Sequence, residues 1–319
     1  MARHRGAGVN PDYSVVIPSF ERRAVLAEVL EALERQRDAP SFETIVVDDG
    51  SRDGSAEFVA ELARTRPIQL LAQQHRGPAA ARNRGVAAAV GRRVAFLGDD
   101  TVPEPDWLRL HDEAARAAEA RSPGGEVAVV GRVDWHPRMR TTELLHYLNE
   151  QGLQFGFALI DDPKNVPFNF FYTSNLSLSR EQLLAEPFDE RFPYPAWEDI
   201  EAAYRLTRRG LRLVYEARAR VLHDHPTGVG RFAHRQERAG YCAVVFARLH
   251  PELAGFVGLG PDGPPPLPSR LRALGREGVV RALQFFPVRL PELWELVFRF
   301  HYVRGMHRAW RELPQARKE

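Results

Sequence analysis

Short β-branched, apolar runs that alternate with helical patterns fill the first third of the chain and leave few architectures open. Tyr13–Ile17, Thr44–Val47, Ile68–Leu71 and Val94–Leu97 read as buried strands. Between them, Leu26, Val29, Leu30 and Leu33 recur at helical spacing, Phe58, Val59 and Leu62 follow Asp53-Gly54-Ser55, and 79–90 forms a third helix. Strand and helix at this rhythm predict right-handed crossovers and an α/β fold: a mostly parallel, Rossmann-like sheet with helices on both faces.

The strands also share a chemistry at their ends. Thr44–Val47 runs into Asp48-Asp49-Gly50-Ser51, and Val94–Leu97 runs into Gly98-Asp99-Asp100 and a proline-punctuated loop. Adjacent carboxylates repel one another, so they persist where a divalent ion or a hydroxyl-rich ligand offsets the charge, or where they cap the next helix in water. Ligands of parallel sheets bind outside the carboxyl ends of the strands. Asp48, Asp49, Asp99 and Asp100 all stand at such ends, which favours a shared polyanion or nucleotide site over chance capping.

Downstream, 107–120 reads as a helix, 127–133 as a strand, 141–169 as a weakly patterned segment suited to acceptor recognition, and 170–178 as a strand carrying Thr173-Ser174-Asn175. Asp199 opens the helix 200–209, which stops at Gly210, and the strands 211–215 and 220–222 lead into His223-Asp224-His225. A carboxylate in a first turn is held ionised by the helix dipole, as a cap or as a reactive group. A helix at 231–247 with Phe232, Tyr241 and Val245 precedes a proline-rich break at 261–268. The expected organisation is a disordered 1–12, a nucleotide-binding half 13–135, an acceptor-binding half 136–226 that carries Asp199, and a helical extension 227–319.

Composition excludes more than it selects. A net charge of +2 in 319 residues gives no basis for a nucleic-acid partner, and Cys242 alone can form no internal disulfide. Met1–Asp12 is basic without a following apolar run, so no secretory signal is expected, and a cytoplasmic protein is, or one peripheral to the inner face of the membrane. The tail from Arg270 carries 11 Arg or Lys against 5 Glu. Its stripe of Leu293, Leu296, Val297, Phe300, Val303 and Trp310 suits packing on its own domain, a homodimer through the C-terminal helices, or an anionic membrane surface.

Six pieces in order give the chain a family likeness: Val16-Ile17-Pro18-Ser19-Phe20, Val46-Val47-Asp48-Asp49-Gly50-Ser51, Ala81-Arg82-Asn83-Arg84-Gly85, Phe96-Leu97-Gly98-Asp99-Asp100, Trp197-Glu198-Asp199 and Val221-Leu222-His223. Over residues 13–226 it resembles family 2 glycosyltransferases of the GT-A fold, which use nucleotide sugars and mostly invert the anomeric centre. The resemblance implies a UDP-, dTDP- or GDP-linked donor, a glycan, lipid-linked or small-molecule acceptor, and a divalent metal, Mn or Mg. Pro18, Phe20, Asp48 and Asp49 would meet the nucleotide, with Asp49 accepting from the base. Arg82 would meet the base or diphosphate, and Asp99 the ribose or the metal. Asp100 and His223 would bind the metal, with His225 close enough to compete. Asp199 would be the general base, and Ser174, Asn175, Trp197 and Glu198 would border the acceptor or donor sugar. Gly98 departs from the pattern, standing where relatives carry the first acid of a DxD triplet, and Glu21 replaces a polar amide. A nucleotidyltransferase shares the topology but opens with a glycine-rich loop after strand one, which Pro18-Ser19-Phe20-Glu21-Arg22 lacks. An inactive nucleotide-binding scaffold would have Gly98 in its favour and the retained Asp100, Asp199 and His223 against it.

Overall fold

A computed structural model describes residues 10–139, 142–267 and 291–314. The expectations for 1–9, for 268–290 and for 315–319 lie outside the described residues. Contacts divide the chain into two compact units, the first comprising Met1–Thr141, Leu148–Glu190 and Asp199–His225.

The first unit is built on one eight-stranded sheet. In chain order its elements are β1 (Tyr13–Ser19), α1 (Arg23–Glu34), β2 (Phe42–Asp48), α2 (Ser55–Leu62), β3 (Ile68–Ala72), α3 (Pro78–Ala88), β4 (Arg93–Leu97) and β5 (Thr101–Pro103). They continue with α4 (Trp107–Arg121), β6 (Val127–Trp135), β7 (Asn175–Ser179), α6 (Arg180–Ala185), α7 (Glu198–Arg208) and β8 (Arg212–His223), while α5 (Glu143–Glu150) begins in the second unit. The strand order is β3-β2-β1-β4-β7-β6-β8-β5. β3, β2, β1 and β4 run parallel, with Ser19 opposite Asp48 and Asp48 opposite Ala72, so their carboxyl ends form one edge. Beyond β4 the sheet is mixed, because β7 runs antiparallel to both β4 and β6.

Alternation along the strands sorts the core into two layers. Val16, Val47 and Phe96 face α3, α6 and α7 through Ala81, Val86, Leu183 and Leu206. Val15, Ile17, Val46, Ala95 and Leu97 face α1, α2 and α4 through Leu26, Leu30, Val59 and Trp107. The helices therefore cover both faces, as the rhythm of the sequence predicts.

Three expectations differ in detail. The strand expected over 170–178 begins only at Asn175, because Phe168–Phe170 closes a 3₁₀ turn after Pro167. The two strands expected at 211–215 and 220–222 are one, β8, whose pairing with β6 shifts register between Gly131 and Arg132. The weakly patterned 141–169 contains α5, which buries Leu144, Leu145 and Leu148.

The second unit comprises Thr142–Tyr147, Arg191–Glu198 and Pro226–Glu319. It is dominated by α8 (Val229–Leu249) and α9 (Pro291–Glu312). The two helices touch backbone to backbone at two glycines. A Cβ at Gly240 would lie 1.8 Å from the Tyr302 carbonyl oxygen, and one at Gly305 would lie 1.9 Å from that of Glu237. Val297, Phe300 and Val303 of the tail stripe are buried in this unit, and Phe298 meets Phe232 with ring centroids 4.7 Å apart. Those three stripe residues pack on their own domain, while Leu296 is 40% exposed. Glu237 pairs across the helices with His301 at 3.4 Å, Arg308 at 3.5 Å and Arg304 at 3.6 Å. No helix among the described residues is long and apolar enough to cross a membrane.

Candidate functional site

The parallel half of the sheet delivers its acids to one edge, and each does different work. Asp48, at the end of β2, accepts from the Gly50 and Ser51 N–H groups at 3.1 Å each and so shapes its own turn. Asp49 is a hub for the loop before α3. One oxygen accepts from Gln73 Nε2 and from the Arg76 N–H, both at 2.8 Å. The other accepts from the Gly77 N–H at 2.8 Å and meets His75 Nδ1 at 2.9 Å. A carboxylate offers about four lone-pair sites, so the protein itself fills them all. Beside this hub the Phe20 and His75 rings stack at 4.2 Å, and Phe20 is 41% exposed.

Asp99 accepts from the Phe20 N–H at 3.1 Å. Burial, and next the charge of Asp100, push its carboxyl above the ordinary carboxylate range against that hydrogen bond and Arg22. Asp100 behaves oppositely. Its burial disfavours charge, but the imidazole of His223 above all outweighs it and holds the carboxyl far below its usual range.

Those imidazoles arrive from 123 and 125 residues away through a backbone ladder. β5 pairs antiparallel with the end of β8, setting Thr101 opposite His223, and the Asp224 N–H donates to the Asp100 carbonyl at 2.8 Å. Alternation then turns His223 and His225 to one side and Asp224 to the other, where it pairs with Arg138. His223 Nε2 lies 3.4 Å and His225 Nδ1 3.0 Å from Asp100 Oδ2. Trp135 and Phe155 flank the His223 ring at 5.2 and 5.4 Å. Asp100, His223 and His225 each present a ligand atom, all within 4.8 Å of one another. One hard carboxylate with two imidazoles is a donor set that fits a divalent first-row ion.

Gly98 keeps this turn tight. Thr101 Oγ1 donates to its carbonyl at 2.9 Å, and a Cβ at position 98 would sit 3.0 Å from that hydroxyl and 3.3 Å from Asp100 Oδ1. A side chain at 98 therefore requires the Thr101 and Asp100 side chains to give by a few tenths of an ångström. His225, which the sequence left as a competitor of His223, stands beside Asp100 together with His223.

Other expected residues divide. Arg82 is buried with its guanidinium 5.5 Å from the Phe188 ring centroid, and the next residue, Asn83, exchanges two 2.9 Å hydrogen bonds with the Phe188 backbone. Asp199 is the second residue of α7, and its Oδ1 accepts from the Ile200 N–H at 2.9 Å. α7 is fastened by Arg205, which meets Glu201 at 2.8 Å and the Pro187 carbonyl at 2.7 Å. Pro18 lies within β1, opposite Val47.

Of the four residues expected beside the sugars, Asn175 is withdrawn into the core at 0% exposure. Its Oδ1 accepts from Trp107 Nε1 at 2.7 Å and His111 Nε2 at 2.8 Å, and its Nδ2 donates to the Arg132 and Ala219 carbonyls at 2.9 Å. That side chain fastens β6, β7, β8 and α4, with no surface left for a ligand. The Ser174 carbonyl accepts from the Gly98 N–H at 3.1 Å, while its hydroxyl is buried without a partner. Trp197, in the second unit, has φ 71° and donates its indole N–H to the Ala239 carbonyl at 3.0 Å. Glu198 is buried.

Sequence reasoning missed Arg22, whose Nη2 lies 2.7 Å from His225 Nδ1, and the Phe20–His75 stack. Proximity to the carboxyl end of β1 was the one available signal for Arg22.

The sequence profile described as Glycosyl transferase family 2 matches residues 14–180, just over half of the chain. The chain belongs to this family. Among curated members it is 28% identical to the chondroitin synthase of Escherichia coli over 67% of this chain and 35% of that protein. It is 29% identical to the validoxylamine A glucosyltransferase of Streptomyces hygroscopicus subsp. limoneus, over 76% of this chain and 58% of the relative. The family 2 chain thus spans about a third of the first relative and somewhat over half of the second. Its fold is that of GT-A proteins. A mannosyltransferase from Pyrobaculum calidifontis, solved with GDP-Man and Mn2+, superposes with a TM-score of 0.59 at 18% identity, covering 95% of this chain and 88% of that one. Residues 1–349 of S. aureus TarS with UDP-GlcNAc give 0.51 at 15% identity, covering 93% and 91%.

Proposed function

We propose that this family 2 protein transfers a sugar from a nucleotide diphosphate to an acceptor hydroxyl, by direct displacement with inversion. The observation that carries the reading is the convergence of Asp100, His223 and His225 at the strand edge where the acids of β2 and β4 also end. Asp100, His223 and His225 would hold Mn2+ or Mg2+, which when bound supplies positive charge against the departing diphosphate; two imidazoles favour manganese.

The remaining roles follow from the chain's own groups. The Phe20 and His75 rings offer a flat surface for the nucleotide base. Asp49 can serve a base N–H only if that N–H replaces the Gln73 or His75 side chain, since the Arg76 and Gly77 backbone donors stay in place. Asp99, held by the Phe20 N–H, presents its carboxyl for ribose hydroxyls, and Arg82 lies behind as a buried cation. Asp199 takes the proton of the acceptor hydroxyl as it attacks, help typically worth about 10² to 10⁴ in rate. One base suffices because displacement from the opposite face forms no covalent intermediate. The mannosyltransferase neighbour held GDP-Man and TarS held UDP-GlcNAc, which supports a nucleotide-sugar donor here. Relatives named for chondroitin synthesis and for glucosylation of validoxylamine A leave glycan and small-molecule acceptors as the candidate classes.

Thermal melting with UDP, dTDP and GDP, each with and without Mn2+, tests the donor site. One diphosphate should stabilise the protein in a metal-dependent way, by about 2.7 kcal/mol at a hundredfold excess over its dissociation constant. The matching nucleotide sugar should then yield a product of inverted anomeric configuration by NMR. Absence of stabilisation by every diphosphate, together with no release of nucleoside diphosphate from any donor, would refute the proposal.

A further inference from the structure

We infer that Arg22 is a built-in counter-ion, filling the cation position of the Asp100–His223–His225 cluster in the metal-free protein and withdrawing when a divalent ion enters. The inference rests on the metal reading given above. Arg22 Nη2 lies 2.7 Å from His225 Nδ1 and 3.8 Å from Asp100 Oδ2. A guanidinium only donates hydrogen bonds, so His225 turns the lone pair of Nδ1 toward Arg22. A metal ion needs that same lone pair. His225 Nδ1 is also only 3.0 Å from Asp100 Oδ2, and two lone-pair atoms facing each other repel unless positive charge lies against both. Arg22 supplies that charge.

Its placement suits withdrawal. Arg22 is the residue before the first turn of α1 and follows Glu21, whose φ of 56° bends the chain there. The Arg22 side chain is 33% exposed, against 16% for Asp100 and 8% for His223, so it has room to swing outward while the cluster stays buried. A guanidinium and a divalent ion cannot share His225 Nδ1, and their charges repel. A diphosphate arriving with the metal would offer the displaced guanidinium an anionic partner, for which its planar fork is well shaped. Metal alone therefore binds against Arg22, whereas metal with diphosphate binds with its help. The arrangement couples metal retention to presence of the donor.

Electron paramagnetic resonance of free Mn2+ measures this without turnover. Titrations compare the wild-type protein with Arg22→Gln, Arg22→Met, Arg22→Lys and Asp100→Asn, first with Mn2+ alone and then with inorganic pyrophosphate added. Both neutral variants should bind Mn2+ alone about two- to fivefold more tightly, the span expected for removing one partly exposed charge. The gain in Mn2+ affinity on adding pyrophosphate should shrink in both, while Arg22→Lys stays near wild type. Melting temperatures establish folding, and two neutral variants guard against the loss of one. Unchanged or weaker Mn2+ binding in the folded neutral variants, with Asp100→Asn blind to Mn2+, overturns the role of Arg22 alone. Wild-type Mn2+ affinity in Asp100→Asn overturns the metal site, and the role of Arg22 with it.

Discussion

His111 should make this protein acid-sensitive by an amount that its surroundings set. The imidazole is fully buried on α4, with Nε2 2.8 Å from Asn175 Oδ1 and Nδ1 3.0 Å from Ser177 Oγ. Asn175 Oδ1 can only accept, so Nε2 carries the proton and Nδ1 accepts from the serine hydroxyl. Burial, against the hydrogen bond to Asn175, and with repulsion from Arg93, lowers the imidazole from 6.5 to about 4. The unfolded chain therefore binds a proton near pH 6.5 that the folded chain refuses. Stability is undiminished above pH 6.5 and is lost as pH falls from there toward 4. At about 1.36 kcal/mol per unit, the interval amounts to about 3 kcal/mol, a large fraction of the roughly 5–15 kcal/mol that holds a typical domain. Urea unfolding from about pH 7.5 to about pH 4.5 would compare the wild type with His111→Gln, which removes the titration. Subtracting the two curves cancels the other histidines. The wild type should lose about 2.5 kcal/mol more than the variant across this window. Parallel curves would refute the argument, since they would mean that the buried ring is protonated at no cost.

Other outcomes follow from the same geometry. Gly240→Ala or Gly305→Ala drives a methyl into a carbonyl of the opposite helix and should lower stability by about 1–3 kcal/mol in urea or thermal melts. Asp199→Asn should reduce sugar transfer by about 10² or more while leaving nucleoside diphosphate binding near wild type, and full activity would remove Asp199 from the role of base. Asp100→Asn should abolish the manganese-dependent part of diphosphate stabilisation in thermal melts. Asp49→Asn replaces an acceptor of four donors by a group that must itself donate, so it should cost about 1–3 kcal/mol in stability and more in nucleotide affinity, read by calorimetry.

The parallel half of the fold is legible because each of its strands is a buried run that stops at a polar turn, and because periodicity separates α1 and α2 from the strands they join. The acids of the site are legible for the same reason, standing where buried runs end. The antiparallel course of β7 is not, since Asn-Leu-Ser-Leu-Ser reads alike in either direction and only the path of the chain before it decides the sense. β5 is three residues long and exists only because β8 comes to meet it. Asn175 misleads because a polar residue beside a strand end suits a ligand and a core bracket equally well; two other strands and one helix converge on it through contacts 43 to 68 residues away. Arg22 is 203 residues from His225, and no local pattern announces that pairing.

The short ladder between β5 and β8 has a consequence for how errors in folding would read out. The three ligand atoms are brought together by main-chain pairing of only three residues on one side, Thr101–Pro103 against Val221–His223. β8 keeps its own register on β6, so a slip of one position in β5 would turn the β5 side chains over and carry Asp100 away from both histidines. Such a chain could retain its sheet, its helices and its melting behaviour while having no cluster at all. A preparation that is folded but indifferent to manganese would then point first to the pairing of β5, before any side chain came under suspicion.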